Sequence, residues 1–243
     1  MIAVTIDGQK IETAEGRMIL QVAREHGIHI PTLCYHEAME PFAACRLCMV
    51  EVETGRGSQL VASCAYPCTE GLVVHTKSQA VLRSRRITVE LLMASAGHVP
   101  AIRELASELG VGEPRFVLDP NDCILCGLCV RVCREIVGVE AISVINRGIA
   151  KKVSPPFERA SGACIRCGTC VLVCPTGAIT LKDINGGGDQ VHPRPSEFEA
   201  VDCRVCGYHP VLPGFTDPVS LTADTRLSPR DLAPGAVAKE TVP

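Results

Sequence analysis

The chain has 243 residues, fifteen of them cysteine, with 3% aromatic residues, no tryptophan and a formal net charge of −3. That charge gives no electrostatic basis for nucleic-acid binding, and no stretch reaches the ~18 uninterrupted apolar residues of a membrane span. The cores must be small and aliphatic. The first residues, MIAVTIDGQK, lack the charged region and apolar run of a signal peptide, so the cysteines are expected to stay reduced in the cytoplasm. Modules below about 80 residues usually need a staple. With metal as the staple, the apoprotein is expected to fold poorly.

Residues 1–9 alternate around Asp7-Gly8, a dipeptide that favours a tight hairpin, so Val4, Ile6 and Ile11 are expected on a two-stranded ribbon. A helix over about 17–26 buries Ile19, Leu20 and Val22 and stops at Gly27, and Pro31 ends regular structure. Cys34, Cys45, Cys48 and Cys64 follow, spaced C-x10-C-x2-C-x15-C. The plant-type [2Fe–2S] pattern has a shorter first gap but the same C-x2-C and distant fourth cysteine. Two ligands close together on a tight loop fix one iron, and the other cysteines close the cage from its rim. Structural zinc is the alternative. Met49 to Val52, Leu60 to Ser63 and Gly71 to His75 read as strands, which makes residues 1–77 a β-grasp [2Fe–2S] ferredoxin-like domain. Cys68 is left over and reads as a small buried hydrophobe. His36 and His75 read as ordinary structural residues.

Residues 78–95 carry Val81, Leu82, Ile87, Val89, Leu91 and Leu92 at helical spacing, with Arg83, Arg85 and Arg86 expected on the solvent face. A short helix over 101–110 ends at Gly110, and Pro114 to Pro120 leads into the next module. Residues 78–117 thus form a helical linker.

Between 118 and 184 one pattern occurs twice, as CILCGLCVRVC at 123–133 and CIRCGTCVLVC at 164–174. Both read C-x2-C-x2-C-x3-C. Three thiolates at that spacing wrap one face of an iron–sulfur cube, while the fourth reaches the neighbouring cluster. The expected ligand sets are therefore crossed: Cys123, Cys126, Cys129 and Cys174 for one [4Fe–4S] cluster, and Cys164, Cys167, Cys170 and Cys133 for the other. Gly127 and Gly168 let backbone amides curl around the sulfurs. Pro175 follows the last cysteine as in the bacterial run, whereas Arg134 follows Cys133. Zinc sites built from C-x2-C pairs have no use for the third and fourth cysteines of each motif. The segment resembles bacterial two-cluster ferredoxins over roughly 60 residues.

Beyond it, NGGGD at 185–189 matches neither dinucleotide nor P-loop spacing, and no flavin or nicotinamide site is visible. Cys203 and Cys206, in VDCRVCGYHP, form a knuckle that cannot complete a cluster but could share a metal with His192, His209, Cys68 or another subunit. The last residues, 210–243, hold six prolines and little periodicity. Residues 185–243 are accordingly expected to be an irregular tail lying over a partner.

The runs CYH, C-x2-C-MVEVE, SCAYPCTEGLVV and RRITVELLMASAGH resemble the N-terminal part of the large iron–sulfur subunit of respiratory complex I. They are similar also to the small diaphorase subunit of NAD(P)-linked hydrogenases, whose length and layout come nearest. With the two cysteine motifs, the resemblance covers about 1–182. It implies an α+β electron-transfer subunit of a multi-subunit NAD(P)-linked oxidoreductase. A flavoprotein subunit would exchange hydride with nicotinamide and feed the [2Fe–2S] end. A hydrogenase, formate dehydrogenase or other reductase subunit, or a bifurcating assembly, would stand at the other. Those relatives hold a further [4Fe–4S] cluster on one histidine and three cysteines. His98 sits at the histidine position, but no cysteine lies between it and Cys123, so that cluster is expected to be absent and His98 an ordinary loop or helix-cap residue. Three rivals have weaker fits. The iron–sulfur subunit of a succinate dehydrogenase or fumarate reductase uses the short first gap, and a free ferredoxin carrier would be smaller and more acidic. A catalytic hydrogenase would need further cysteines.

Overall fold

Strand β1 (Ile2–Ile6) turns at Asp7-Gly8 into antiparallel β2 (Gln9–Thr13). Both turn residues take positive φ, 49° and 83°, as the mirror-image turn of a right-twisted hairpin requires. The ribbon is one edge of a larger sheet. β1 also pairs in parallel with β5 (Val73–His75), which pairs with β3 (Met49–Thr54), which pairs with β4 (Gly57–Ala62). The five-stranded order is β2-β1-β5-β3-β4. Asp7 clasps the residue after β5, its carboxylate accepting from the Thr76 amide at 2.7 Å and from the Thr76 hydroxyl.

This computed structural model describes residues 1–55, 57–155 and 164–180 in full, together with the backbone of 201–202 and 210–211. The chain divides into two units: Met1–Tyr35 with Pro41–Cys126, and His36–Glu40 with Gly127–Pro243. The NGGGD run, His192, Cys203, Cys206, His209 and the rest of the expected irregular tail lie outside the described residues, except for a short pairing of β8 (Val201–Asp202) with β9 (Pro210–Val211).

In the first unit, α1 (Ile19–Glu25) lays Ile19, Leu20, Val22 and Ala23 against Val4, Ile6, Val50, Val52 and Val74 of the sheet. This core is almost wholly aliphatic, as the composition demands. Gly27 ends the helix turn with φ 71°, a conformation that glycine adopts without the steric cost of a Cβ.

Two further helices follow. α2 (Gln79–Ala96) begins at Ser78, whose hydroxyl accepts from the Val81 amide at 3.3 Å. α3 (Pro100–Leu109) stops at Gly110, left-handed at φ 64°. Between them Val89, Ala96, Val99, Ile102, Ala106 and Leu109 make a second core, closed by Leu33 and Leu47. Val81 and Val89 are buried and Arg83 and Arg86 exposed as expected, but the rest of the buried face of α2 differs. Val81, Arg85 and Val89 recur at i, i+4 and i+8 and so share one side of the helix. Arg85 is on the dry side, 3% exposed, whereas Ile87 and Leu91 are 44% and 53% exposed. The polarity of Arg85 suggested the wrong face because its guanidinium finds a buried carbonyl, described below.

In the second unit, α4 (Leu128–Arg131) runs into a single π-turn over Val132–Ile136. A small hairpin joins β6 (Ser143–Ile145) to β7 (Lys152–Ser154), with Val144 opposite Val153. α5 (Thr169–Leu172) completes the described part. Few apolar side chains are buried among its described residues: Met39, Leu128, Cys129, Val132 and Ala141. Arg131 is also buried, ion-paired with Glu135 at 2.9 Å and hydrogen-bonded to the Glu40 carbonyl.

Candidate metal centres

All thirteen cysteines among the described residues are free thiols. Four gather at one end of the first unit's sheet. The β3–β4 ladder pairs Met49 with Ala62 and continues past the strands, with the Ser63 amide donating to the Cys48 carbonyl at 3.1 Å and the Ser63 hydroxyl to the same oxygen at 2.8 Å. This extension carries Cys64 to Cys48, and their thiols hydrogen-bond. On the facing loop the thiols of Cys34 and Cys45 hydrogen-bond in the same way, and the Cys45 amide donates to Cys34 Sγ at 3.3 Å. Ala43 and Arg46, with φ of 55° and 57°, bend that loop on either side of Cys45.

The thiols that act on one another lie across the loop, Cys34 with Cys45 and Cys48 with Cys64. Within each pair one sulfur surrenders its proton readily. The hydrogen bond from Cys34 brings Cys45 down to about 5, and that from Cys64 brings Cys48 to about 7. Cys34 and Cys64 move the opposite way, since they hold the shared protons and are desolvated. Ready ionisation suits thiolate ligation. Among the described residues, no three His, Cys, Asp or Glu side chains converge on a single ion position. Two thiol pairs suit two metal atoms better than one tetrahedral ion.

The two later motifs fold alike. Leu125 and Arg166 stand at the same place in each and take φ of 54° and 59°. Gly127 and Gly168 take 79° and 75°, and each glycine is the N-cap of a four-residue helix, α4 or α5. These left-handed turns are what thread a chain around a cluster's sulfurs. In the second unit Cys133 lines one cavity with Cys164, Cys167 and Cys170, so a cysteine of the first motif joins three of the second. Cys133 Sγ accepts from the Ala141 amide at 3.3 Å, and the Thr169 hydroxyl donates to Cys167 Sγ at 3.2 Å. Burial and the neighbouring sulfurs push Cys170 up to about 12. Cys174 goes down: burial opposes this, but the Thr176 hydroxyl and the amides of Thr176, Ile179 and Ala178 outweigh it. Cys129 is buried in the same unit, Cys126 is buried at the end of the first, and Cys123 is half-buried there, its amide donating to Asn121 Oδ1 at 2.9 Å.

Residues 1–79 match the family model of a 2Fe-2S iron–sulfur cluster binding domain, and 122–179 and 163–209 each match a 4Fe-4S dicluster domain. A solved chain in the crystal structure of an NAD+-reducing [NiFe]-hydrogenase in the H2-reduced state is 31% identical, with a TM-score of 0.59, over 73% of this chain and 86% of that one. The chain belongs to the family of iron–sulfur subunits of NAD(P)-linked oxidoreductases and hydrogenases. Other members include an NADH-quinone oxidoreductase component of Rhizobium meliloti (strain 1021), 34% identical over 206 residues, which are 74% of this chain and 24% of the relative. The HndD component of the NADP-reducing hydrogenase of Solidesulfovibrio fructosivorans is 36% identical over 189 residues, 65% of this chain and 32% of its own. The chain thus spans about a quarter to a third of the length of these curated relatives. Its cofactors are one [2Fe–2S] cluster and two [4Fe–4S] clusters, matching the three cluster domains. The second dicluster match runs on to residue 209 and takes in Cys203 and Cys206.

Where the resemblance places a histidine-and-cysteine cluster, this family member has aliphatic packing. Ile102, Leu105 and Val111 join the α2–α3 core, and His98 pairs with Asp122. Cys68 is fully buried in the sheet core, as a small hydrophobe would be. His75 bonds Glu53 at 2.7 Å, and burial lowers the pKa of His36. Two contacts were not anticipated. Thr169 could have been found by laying one motif on the other, since Leu128 stands in its place. Ser63 carries no comparable mark.

Proposed function

We propose that this chain is an electron relay in a multi-subunit NAD(P)-linked oxidoreductase, passing single electrons between a flavoprotein subunit and a hydrogenase, dehydrogenase or reductase subunit. In this reading its first domain is a β-grasp ferredoxin-like module and its later domain a bacterial-type two-cluster ferredoxin. Cys34 with Cys45, and Cys48 with Cys64, hold the two irons of the [2Fe–2S] cluster. Cys164, Cys167, Cys170 and Cys133 hold one [4Fe–4S] cluster, and Cys123, Cys126, Cys129 and Cys174 the other.

The observation that carries the reading is the meeting of Cys133 with Cys164, Cys167 and Cys170. A chain that lends a ligand from one motif to the next keeps two cubes adjacent, as a relay needs. The chain's own residues bind and shield the clusters and set their surroundings, which fixes the potential at which each accepts an electron. Hydride exchange and the terminal reaction belong to partner chains. The same reading puts the complex in the cytoplasm, where thiols stay reduced.

Anaerobic purification from its native source tests the proposal. The chain is expected to bring down a flavin-containing partner and to hold about ten irons, from one two-iron and two four-iron clusters. A cluster-replete monomer that reduces NAD unaided would refute the relay. Metal in excess of ten irons would put a further site at Cys203 and Cys206.

A further inference from the structure

Arg85 of α2 is a cation in a dry place. Its residue is 3% exposed, Nη2 donates to the Met49 carbonyl at 2.7 Å, and Nε has no hydrogen-bond partner among the described residues. No carboxylate forms an ion pair with it there. Burying a charge without a counter-charge is expensive, so some other negative group must offset it. Met49 is the residue after Cys48, a ligand in the set proposed above, so the hydrogen bond to its carbonyl places the guanidinium on the backbone beside that ligand; burial works against the charge, and the Cys48 sulfur, Glu108 and Asp7 work for it.

We propose that Arg85 is the buried counter-charge of the [2Fe–2S] cluster and raises its reduction potential. The inference rests on the ligand set above. A bound cluster with four thiolates is anionic and gains one more negative charge on reduction. A fixed cation shielded from water favours the reduced form, because attraction is stronger where solvent does not screen it. Arg85 is a positioning residue acting through Cys48 and the backbone at Met49. It touches no substrate.

The test is a redox titration of the full-length holoprotein followed by electron paramagnetic resonance. Arg85→Gln keeps a donor for the Met49 carbonyl but removes the charge, Arg85→Met removes both, and Arg85→Lys keeps the charge. The [2Fe–2S] midpoint is expected to fall in the Gln and Met variants, to stay near wild type in the Lys variant, and the cubane midpoints to hold throughout. An unmoved midpoint in a loaded Gln or Met variant overturns the proposal. So does loss of the [2Fe–2S] signal from both neutral variants with retention in Lys, which would make Arg85 a structural brace. If instead wild-type holoprotein shows no [2Fe–2S] signal, or keeps it in Cys45→Ala, the ligand reading fails and not the counter-charge.

Discussion

The amide of Cys45 donates to the sulfur of Cys34 at 3.3 Å although eleven residues separate them. The contact folds the intervening loop back on itself and sets the two sulfurs side by side, and the Cys34 thiol, with the amides of Leu47, Leu33 and Cys34, makes Cys45 the more acidic of the pair. Replacing Cys45 with alanine is therefore expected to erase the [2Fe–2S] paramagnetic signal while the cubane signals persist. Unchanged spectra would remove Cys45 from the ligand set.

The Thr169 hydroxyl donates to Cys167 Sγ at 3.2 Å, so in the proposed ligand set it would give one cubane a hydrogen bond that its counterpart, Leu128, cannot give to the other. A bond of about 1 kcal/mol to a ligand sulfur corresponds to about 40 mV for one electron. Thr169→Val is expected to lower the potential of a single [4Fe–4S] cluster by that order. A redox titration in which both cubanes move together would show that the hydroxyl is not selective.

Ile102 is fully buried between α2 and α3. Truncation to alanine should cost about 2–5 kcal/mol of stability and leave iron content unchanged. Denaturant titration with an iron assay checks both. A loss of iron without a loss of stability would contradict the purely packing role given to this region.

Removing the clusters should not affect the two units equally. The first has a sheet whose β1, β3 and β5 are locked by Ile6, Val50, Val52 and Val74, whereas the described part of the second buries few apolar side chains and leaves most of its cysteines half-buried. Amide exchange on iron-free protein is expected to retain protection in residues 2–6 and 49–54 and to lose it across 128–136 and 169–172. Equal loss in both would mean that the sheet, too, depends on metal.

The two repeated cysteine motifs were legible in the chain because the residues that make each of their left-handed turns are neighbours in sequence. The Asp7-Gly8 hairpin and the Gly110 stop were legible for the same local reason. What escaped depends on distant partners. The parallel pairing of Ile6 with Val74 joins segments far apart in the chain. The joining of Cys48 to Cys64 follows from a ladder extended by Ser63. The periodic pattern of α2 put Arg85 in water because side-chain polarity, read alone, cannot see a buried carbonyl waiting at Met49.

Leu125 and Arg166 hold left-handed backbone that a side chain adopts only at a cost of about 1–2 kcal/mol each. Bonds from a bound cluster can hold such turns in place, and an empty chain has every incentive to relax them. In a cell short of iron or sulfide, newly made copies would have no cluster to hold these two turns closed. The steady amount of this protein would then follow the supply of inorganic material as closely as the rate at which its message is translated.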